Sequence, residues 1–474
     1  MWDRGFIFCP ALNTCSDSRG GTEKKMSKNT VRDSFTGKFG FILACVGSAV
    51  GMGNIWLFPR RVAAFGAPFL VAYLVCVVII GLSGVIGEMA YGRAMKAGPM
   101  GAFAGATEKA GRGRLPGSLL SAVPVLSSLA LAIGYSVVSG WILKYTVGAF
   151  TGSILSGEGV GDFGNLFGYT ATGTNNLVFH LAALAITYLI LVFGISKGVE
   201  KADKFFMPLF FLMFIGIAIY VSTLDGAAKG YAYMFTTADW SGLLNGNMWK
   251  YALGQAFFSL SLAGGGTLVY GSYLGDEENI PYCASMVAIF DTLAAFVAAL
   301  AIIPAVYAAG IDMAAEVTSG PGLMFIYLPY IFKGMGSVGP VISIIFFVAV
   351  CFAAFSSLIN LFEAPIEALQ NSFGMKRVPA VSLVLVVGAV VAVLISDIVS
   401  GWMDVCSIYL CPIGALMAAV MFFWVCGRDF AADEINRGHT GGHGRLFANM
   451  GKYVFCTLSI LVLILGSITT GGIG

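Results

Sequence analysis

The sequence predicts an all-α integral membrane protein with about eleven transmembrane helices arranged as a 5+5 inverted repeat. Of its 474 residues, 58% are hydrophobic and only 11% are charged, with a mean hydropathy of +0.85. A soluble domain usually carries about 25% charged residues. Apolar stretches of about 20 residues, the length that crosses a bilayer as a helix, recur along almost the whole chain. Two of them are interrupted by small and polar residues at corresponding places in the two halves.

The eleven apolar stretches are numbered span 1 to span 11 in chain order. They lie at 39–59, 68–90, 118–150, 176–195, 205–224, 249–274, 280–309, 338–366, 378–396, 405–427 and 452–471. Most of the 27 Lys and Arg residues fall in segments that are cytoplasmic if the N-terminus is inside. The positive-inside rule therefore predicts a cytoplasmic N-terminus, and the odd number of spans predicts an extracytoplasmic C-terminus. We expect a multi-pass protein of the plasma (inner) membrane.

The chain is expected to divide into four parts. These are a cytoplasmic segment at 1–36, a first repeat of spans 1–5 at 37–224, a second repeat of spans 6–10 with extracellular loops at 225–427, and a cytoplasmic loop with span 11 at 428–474. A five-span unit has odd parity, so the second repeat is expected to be inverted in the membrane. Residues 1–25 lack the apolar core of a signal peptide, and Met26 is expected as an alternative start.

The interruptions are SAVGMGN at 48–54 in span 1 and SLAGGGT at 261–267 in span 6. An unwound helix frees backbone N–H and C=O groups, which need partners in hydrocarbon. Half-helix ends at mid-membrane are typical of transporter sites for ions and zwitterions. Small residues in span 1 alone would also fit close helix packing. The second break, five spans later, favours discontinuous helices 1 and 6 around a central site.

Several polar side chains are stranded in apolar spans and are candidates for that site. They are Tyr135, Ser259, Ser261, Asp291, Ser356 and Ser357. Asp291 is the most informative, because a carboxylate at membrane depth needs a cation or a proton. Any one of the serines could instead bond a carbonyl of its own helix. Glu88 and Glu363 are expected to form hydrogen bonds with the break in span 6.

Other function classes have less support. A net charge of +2 without basic clusters argues against nucleic acid, and ten scattered cysteines without a CxxC pair argue against a metal cluster. The chain has no GxxxxGK[ST] loop for ATP. A Ser nucleophile at Ser259 or Ser261 has no histidine in its motif. No organic cofactor is expected, while a channel or an amino acid sensor with a transporter fold stays an alternative.

Five long motifs carry a resemblance to a known family. They are GSAVGMGNIWLFP (47–59), GEMAYGR (87–93), GISKGVEK (194–201), GQAFFSLSLAGGGTLVYGSY (254–273) and AAFSSLINLFEAP (353–365). Through them the sequence resembles the neurotransmitter:sodium symporter family over residues 32–437, in particular its bacterial amino acid transporters with the leucine-transporter fold. The resemblance implies transport of an amino acid coupled to sodium.

The resemblance also implies the ligands of two sodium ions and of the substrate. The first ion would bind Ala49, Asn54, Ser259 and Asp291, and the second would bind Gly47, Val50, Ala353, Ser356 and Ser357. Substrate contacts would be Ser48, Ala49, Met52, Gly53, Leu131, Tyr135, Phe258, Ser259, Ser261, Gly264, Ser357 and Leu361. Gly264 stands where the leucine-selective relative has Phe, so the pocket is expected to accept a large hydrophobic or aromatic side chain.

The sequence departs from the family pattern at both gates and at the chloride position. Leu57 replaces the Arg of the outer ion-pair gate, which is expected to be absent. The inner gate would comprise Arg32, Phe35, Tyr273 and Asn371, the last in place of Asp. The chloride position corresponds to Tyr73, Gln255, Ser259 and Asp291. Because Asp291 stands where chloride-dependent members commonly have Asn, its carboxylate is expected to replace chloride.

Overall fold

The computed structural model describes residues 35, 37–236, 240–313, 320–438 and 441–468. Within these ranges the chain forms helices and turns and no β-strand, which confirms the predicted all-α class. Arg32, Met26 and the segment 1–25 lie outside the described residues. All described residues belong to the unit Asp33–Gly474.

The predicted spans correspond to the following helices. In order they are Lys38–Ala49 with Gly53–Phe65, Ala67–Met95, Leu115–Thr151, Leu177–Val192, Ile195–Ser222, Gly246–Ser259 with Gly266–Gly271, Ile280–Ala308, Gly336–Phe373, Arg377–Leu394, Ser396–Val425 and Gly444–Ser467. Shorter helices between them include Pro99–Lys109, Val160–Ala171, Ala227–Phe235, Leu328–Gly334 and Arg428–Asn436.

Eight described helices are long and apolar enough to cross a membrane, and the bent pair in span 1 makes nine. The two other predicted spans are Leu177–Val192, which has 16 residues, and the broken pair in span 6. Discontinuous helices in spans 1 and 6 are confirmed, and the two halves of span 1 meet at 57°. The count of eleven and the inverted repeat stay predictions.

Helix packing brings both broken spans to the middle of the molecule. Span 8 packs against spans 3 and 5, and span 1 packs against spans 5, 7 and 8. Span 8 is the most enclosed of these helices, whereas spans 5, 9 and 11 leave more of their apolar residues exposed. Exposed side chains such as Leu212, Val386 and Leu394 fit a surface that faces hydrocarbon rather than water.

Candidate functional site

The break in span 1 exposes backbone groups that side chains from elsewhere satisfy. The first half-helix ends at Ala49, and Val50 has an extended conformation with φ −69° and ψ 113°. The Gly51 N–H donates to Asn54 Oδ1 at 3.0 Å, and the Met52 N–H donates to Tyr135 Oη at 3.0 Å. The break is therefore stabilised by one local side chain and one from span 3.

The break in span 6 is connected both to span 1 and to span 2. Ser261 has a positive φ of 53°, and its hydroxyl donates to the Ser48 carbonyl at 2.6 Å. The Gly264 N–H donates to Glu88 Oε1 at 2.8 Å. The expected bond from Glu88 to the break is thus confirmed. Since both serines lie at the interruptions, the Ser261 bond joins the two breaks directly.

Glu363 forms a hydrogen bond with span 6, but with Tyr273 of the predicted inner gate rather than with the break itself. Its carboxylate forms a bidentate ion pair with Arg377 at the start of span 9, with both N–O distances 2.7 Å. It also accepts a hydrogen bond from Tyr273 Oη at 3.3 Å. Arg377 follows span 8 across a short turn, which brings the guanidinium next to the carboxylate fourteen residues earlier in the chain. Apolar periodicity does not reveal such a pairing.

The residues expected at the first sodium site form a connected group of polar atoms. Asn54 Nδ2 lies 2.7 Å from Asp291 Oδ1 and 3.2 Å from Ser259 Oγ. The Ser259 hydroxyl donates to Asp291 Oδ2 at 2.7 Å, and Tyr73 Oη lies 3.4 Å from Ser259 Oγ. Gln255, expected with Tyr73 at the chloride position, donates to the Gly53 carbonyl at 3.0 Å. Asp291 is fully buried.

The residues expected at the second sodium site lie between spans 1 and 8. Ser357 Oγ lies 3.0 Å from the Val50 carbonyl oxygen and 3.4 Å from that of Gly47. Ala353 is buried on the same helix as both serines. The Ser356 hydroxyl donates to Asp203, a buried residue that the sequence interpretation missed. The sequence places the start of span 5 at 205, whereas the helix begins at Ile195 and includes Asp203.

A cavity lies between the two breaks, and most of the expected substrate contacts line it. From that set it contains Ser48, Ala49, Leu131, Tyr135, Phe258, Ser261, Ser357 and Leu361. Other lining residues are Gly51, Ser128, Phe257, Leu262, Ala263, Gly266, Asn360 and Cys411. Met52 lines a second, larger cavity instead, and Gly53 and Ser259 line neither of the two cavities.

Gly264 does not line the cavity as expected. Its positive φ of 68° directs the N–H to Glu88, and the space that a side chain would fill is occupied by the Gly414 carbonyl and Pro124. Ala263 and Gly266 line the cavity in its place. The small residues of the motif therefore do different things, since some open the cavity and Gly264 permits close backbone packing.

Gly264→Ala is expected to lower the melting temperature of the detergent-purified protein. A left-handed φ is unfavourable for Ala, and its Cβ would overlap the Gly414 carbonyl, so the cost is about 1–3 kcal/mol. Gly266→Ala is a matched control, because Gly266 begins the helix Gly266–Gly271 without a positive φ and the atom nearest to a Cβ there would be Ser48 Oγ at 3.6 Å. Equal melting temperatures for the two variants would contradict this account.

The second cavity has a volume of about 530 Å³ and is called the outer cavity here, because it would face outward in the predicted topology. Tyr135 and Phe258 line both cavities and so form part of the wall between them. Leu57, Arg60 and Asp404 line the outer one, and no ion pair between the latter two occurs in the described ranges. The absence of the outer Arg–Asp gate, expected from Leu57, stays a prediction.

The residues expected at the inner gate lie apart in two groups. The Phe35 ring packs edge-on against Phe41, Tyr270 and Tyr273, with centroid distances of 5.4, 5.6 and 6.2 Å. Asn371 Nδ2 donates to Glu367 Oε1 at 3.2 Å on its own helix. The Arg32 partner of Asn371 lies outside the described residues, so the predicted hydrogen bond between them stays a prediction.

Comparisons with known proteins agree with this architecture. The model of the sodium:neurotransmitter symporter family matches residues 32–158 and 168–470. An uncharacterized sodium-dependent transporter of Methanocaldococcus jannaschii is 31% identical over 433 residues, covering 86% of this chain and 84% of that protein. The uncharacterized sodium-dependent transporter YhdH of Bacillus subtilis is 32% identical over 342 residues, covering 72% of this chain and 73% of YhdH.

The crystal structure of MhsT in complex with L-phenylalanine has a similar fold, with a TM-score of 0.80 and 31% identity. The match covers 91% of this chain and 99% of MhsT. The relatives are transporters rather than enzymes, which excludes the Ser nucleophile considered above. Motifs, fold and matched length agree, and the chain belongs to the sodium:neurotransmitter symporter family.

Proposed function

We propose that the protein is a sodium-coupled symporter that imports a large hydrophobic or aromatic amino acid by alternating access. The observation that carries this proposal is a cavity bounded by two helix breaks and flanked by two groups of oxygen atoms. An amino acid zwitterion needs donors for its carboxylate and acceptors for its ammonium group. The ends of broken helices offer both.

The main-chain end of the substrate would bind at the break in span 1. The Met52 amide and the Tyr135 hydroxyl lie 3.0 Å apart, so a single carboxylate can contact both. The Gly53 amide would add a third donor. The ammonium group would contact the carbonyl groups of Ala49, Phe258 and Ser259.

Two sodium ions would bind beside the substrate. The first would bind the side chains of Asn54, Ser259 and Asp291 together with the Ala49 carbonyl. The second would bind the hydroxyls of Ser356 and Ser357 together with the carbonyls of Gly47, Val50 and Ala353. Oxygen ligands suit a hard cation. With about 2.3 kcal/mol per charge at 100 mV and about 1.4 kcal/mol for a tenfold gradient, two ions supply on the order of 7 kcal/mol.

The substrate side chain would extend toward the break in span 6. Ala263 and Gly266 are small, and Leu131 and Leu361 add apolar surface, which leaves room for a bulky apolar group. The matched MhsT structure holds L-phenylalanine, which supports this choice. Transport is proposed to be independent of chloride, because the buried Asp291 carboxylate supplies a negative charge next to the first sodium site.

The proposal also covers the topology. Residues 37–224 and 225–427 would be the two inverted halves, and residues 1–36 and 428–474 would flank them. The N-terminus would face the cytoplasm, and the protein would lie in the plasma membrane. Tyr135 and Phe258 would open and close the path from the outer cavity to the substrate.

Uptake into proteoliposomes across a panel of amino acids tests the proposal. We expect uptake of phenylalanine, tryptophan and leucine that requires a sodium gradient and is unchanged when gluconate replaces chloride. Choline in place of sodium is the control for ionic strength. A preference for glycine or alanine would contradict the selectivity, and an absolute need for chloride would contradict the role of Asp291. Sodium-dependent binding without uptake would favour the amino acid sensor. Uptake that needs no sodium gradient would favour the channel.

A further inference from the structure

Asp203 is a buried carboxylate in span 5 that the proposed mechanism does not yet use. Its side chain is fully buried, although it lies only eight residues after the start of the helix Ile195–Ser222. Span 5 packs against both span 1 and span 8 at this level. Asp203 therefore faces spans 1 and 8, whose oxygen atoms form the proposed second sodium site.

The contacts of Asp203 join it directly to that group. The Ser356 hydroxyl donates to Asp203 Oδ1. A Cβ on Gly47 would lie 2.8 Å from the same oxygen, so the carboxylate rests against the Gly47 backbone. One turn beyond Ser356, Asn360 Nδ2 donates to the Ser356 carbonyl at 2.7 Å.

Two buried oxygen atoms in this neighbourhood have no hydrogen-bond donor within the described part of the chain. They are Asp203 Oδ2 and Asn360 Oδ1. The Asn360 side-chain amide also lies close enough to the Asp203 carboxylate to stabilise its charge, but Oδ2 receives no hydrogen bond from it. Buried acceptors are nearly always paired in folded proteins, so an unpaired carboxylate oxygen indicates a partner that is not a protein donor. A cation held by oxygen atoms is such a partner.

The nearby basic residues do not neutralise Asp203. Lys204, the next residue, pairs with Glu200 one turn away, at 2.6 Å. No ion pair to Asp203 occurs within the described ranges. A carboxylate at membrane depth requires a cation or a proton, and the adjacent second sodium site, which otherwise consists of neutral ligands, would supply the cation.

We propose that Asp203 is a ligand of the second sodium ion, adding a carboxylate to the carbonyl and hydroxyl oxygens of spans 1 and 8. The inference rests on the proposed function, because it requires sodium to bind between Gly47 and Ser357. Ser356 can donate its proton to Asp203 and offer its lone pairs to the ion at once. The site would then be bounded by three spans, with span 5 contributing the only charge.

The experiment compares sodium titrations of Asp203→Asn and the wild-type protein. Asn keeps the size of the side chain and removes the charge. The readouts are equilibrium binding of L-phenylalanine and the rise in melting temperature without amino acid, with choline chloride balancing ionic strength. Because ligand charge strongly tunes cation affinity, the half-saturating sodium concentration is expected to rise by about tenfold or more in both assays. Phenylalanine affinity at saturating sodium should return to the wild-type range.

Glu200→Gln is the matched control. Glu200 is a buried carboxylate on the same helix, but its partner is Lys204. Its removal is expected to leave half-saturating sodium unchanged even if stability falls. If Asp203→Asn is not recovered folded, Asp203→Ser removes the same charge with a smaller side chain and should give the same shift.

The outcomes separate the two proposals. A wild-type protein without sodium-dependent binding overturns the proposed function. A sodium-dependent wild type with an unaltered titration in folded Asp203→Asn overturns only the inference about Asp203, and assigns that carboxylate a purely structural bond to Ser356.

Discussion

Asp291→Asn is expected to raise the sodium concentration needed for half-maximal uptake by about tenfold or more. The substitution keeps an oxygen ligand but removes the only carboxylate in the group that includes Asn54 and Ser259. It should also make uptake respond to chloride, because an anion would restore the missing negative charge. Both effects are measured in proteoliposomes by sodium titration, with chloride or gluconate as the anion.

Asp225→Asn serves as the control, since Asp225 is exposed in the turn after span 5. It should behave as the wild-type protein in both salts. If Asp291→Asn kept the wild-type sodium dependence and stayed indifferent to chloride, both roles assigned to this carboxylate would be wrong.

Arg93→Met is expected to cause the largest loss of stability among single changes away from the cavity. Arg93 is fully buried, and its guanidinium forms an ion pair with Glu434 at 2.6 Å. It also donates to the carbonyls of Glu278 and Arg437. Removing one partner of a buried ion pair costs about 3–5 kcal/mol, and the half-exposed Arg437, 3.3 Å from Glu434, compensates the remaining charge only in part. The measurement is the melting temperature of the detergent-purified protein.

Arg114→Met is the matched control. Arg114 forms an ion pair with Glu108 at the same distance, 2.6 Å, but both side chains are more than half exposed. An exposed pair contributes only about 0–1 kcal/mol, so the melting temperature should hardly change. Similar losses in the two variants would show that burial does not set the value of the Arg93 pair.

The sequence allowed the fold class and both broken helices to be predicted because they depend on local composition. Apolar length identifies spans, and clustered glycines identify the breaks, as the helix ends at Ala49 and Ser259 bear out. The family resemblance carried by the long motifs then predicted many of the residues that line the cavity. These features are properties of single segments and do not require knowledge of how distant segments pack.

The features that escaped prediction depend on packing between segments. Glu363 pairs with Arg377 across a turn, and Asp203 meets Ser356 across two helices. The helix of span 5 also begins earlier than its apolar stretch. Lys201 and Lys204 are charged and exposed, so hydropathy alone does not reveal that the other face of these first turns is buried. For Gly264, a small residue is required by the Gly414 backbone rather than by the size of a ligand.

The bonds that replace the helical ladder at the two breaks have a mechanical consequence. Bending an intact helix stretches or severs its backbone hydrogen bonds, but at the breaks those bonds are already missing and the freed groups bond side chains of other spans. Each break is therefore a joint whose two arms can change their angle without losing helical bonds. The Ser261 hydroxyl joins the two breaks through the Ser48 carbonyl, so a change of angle that separates these two residues has to break this hydrogen bond. Residues of both breaks line the cavity, so a molecule bound there lies where the angles of the two broken spans change.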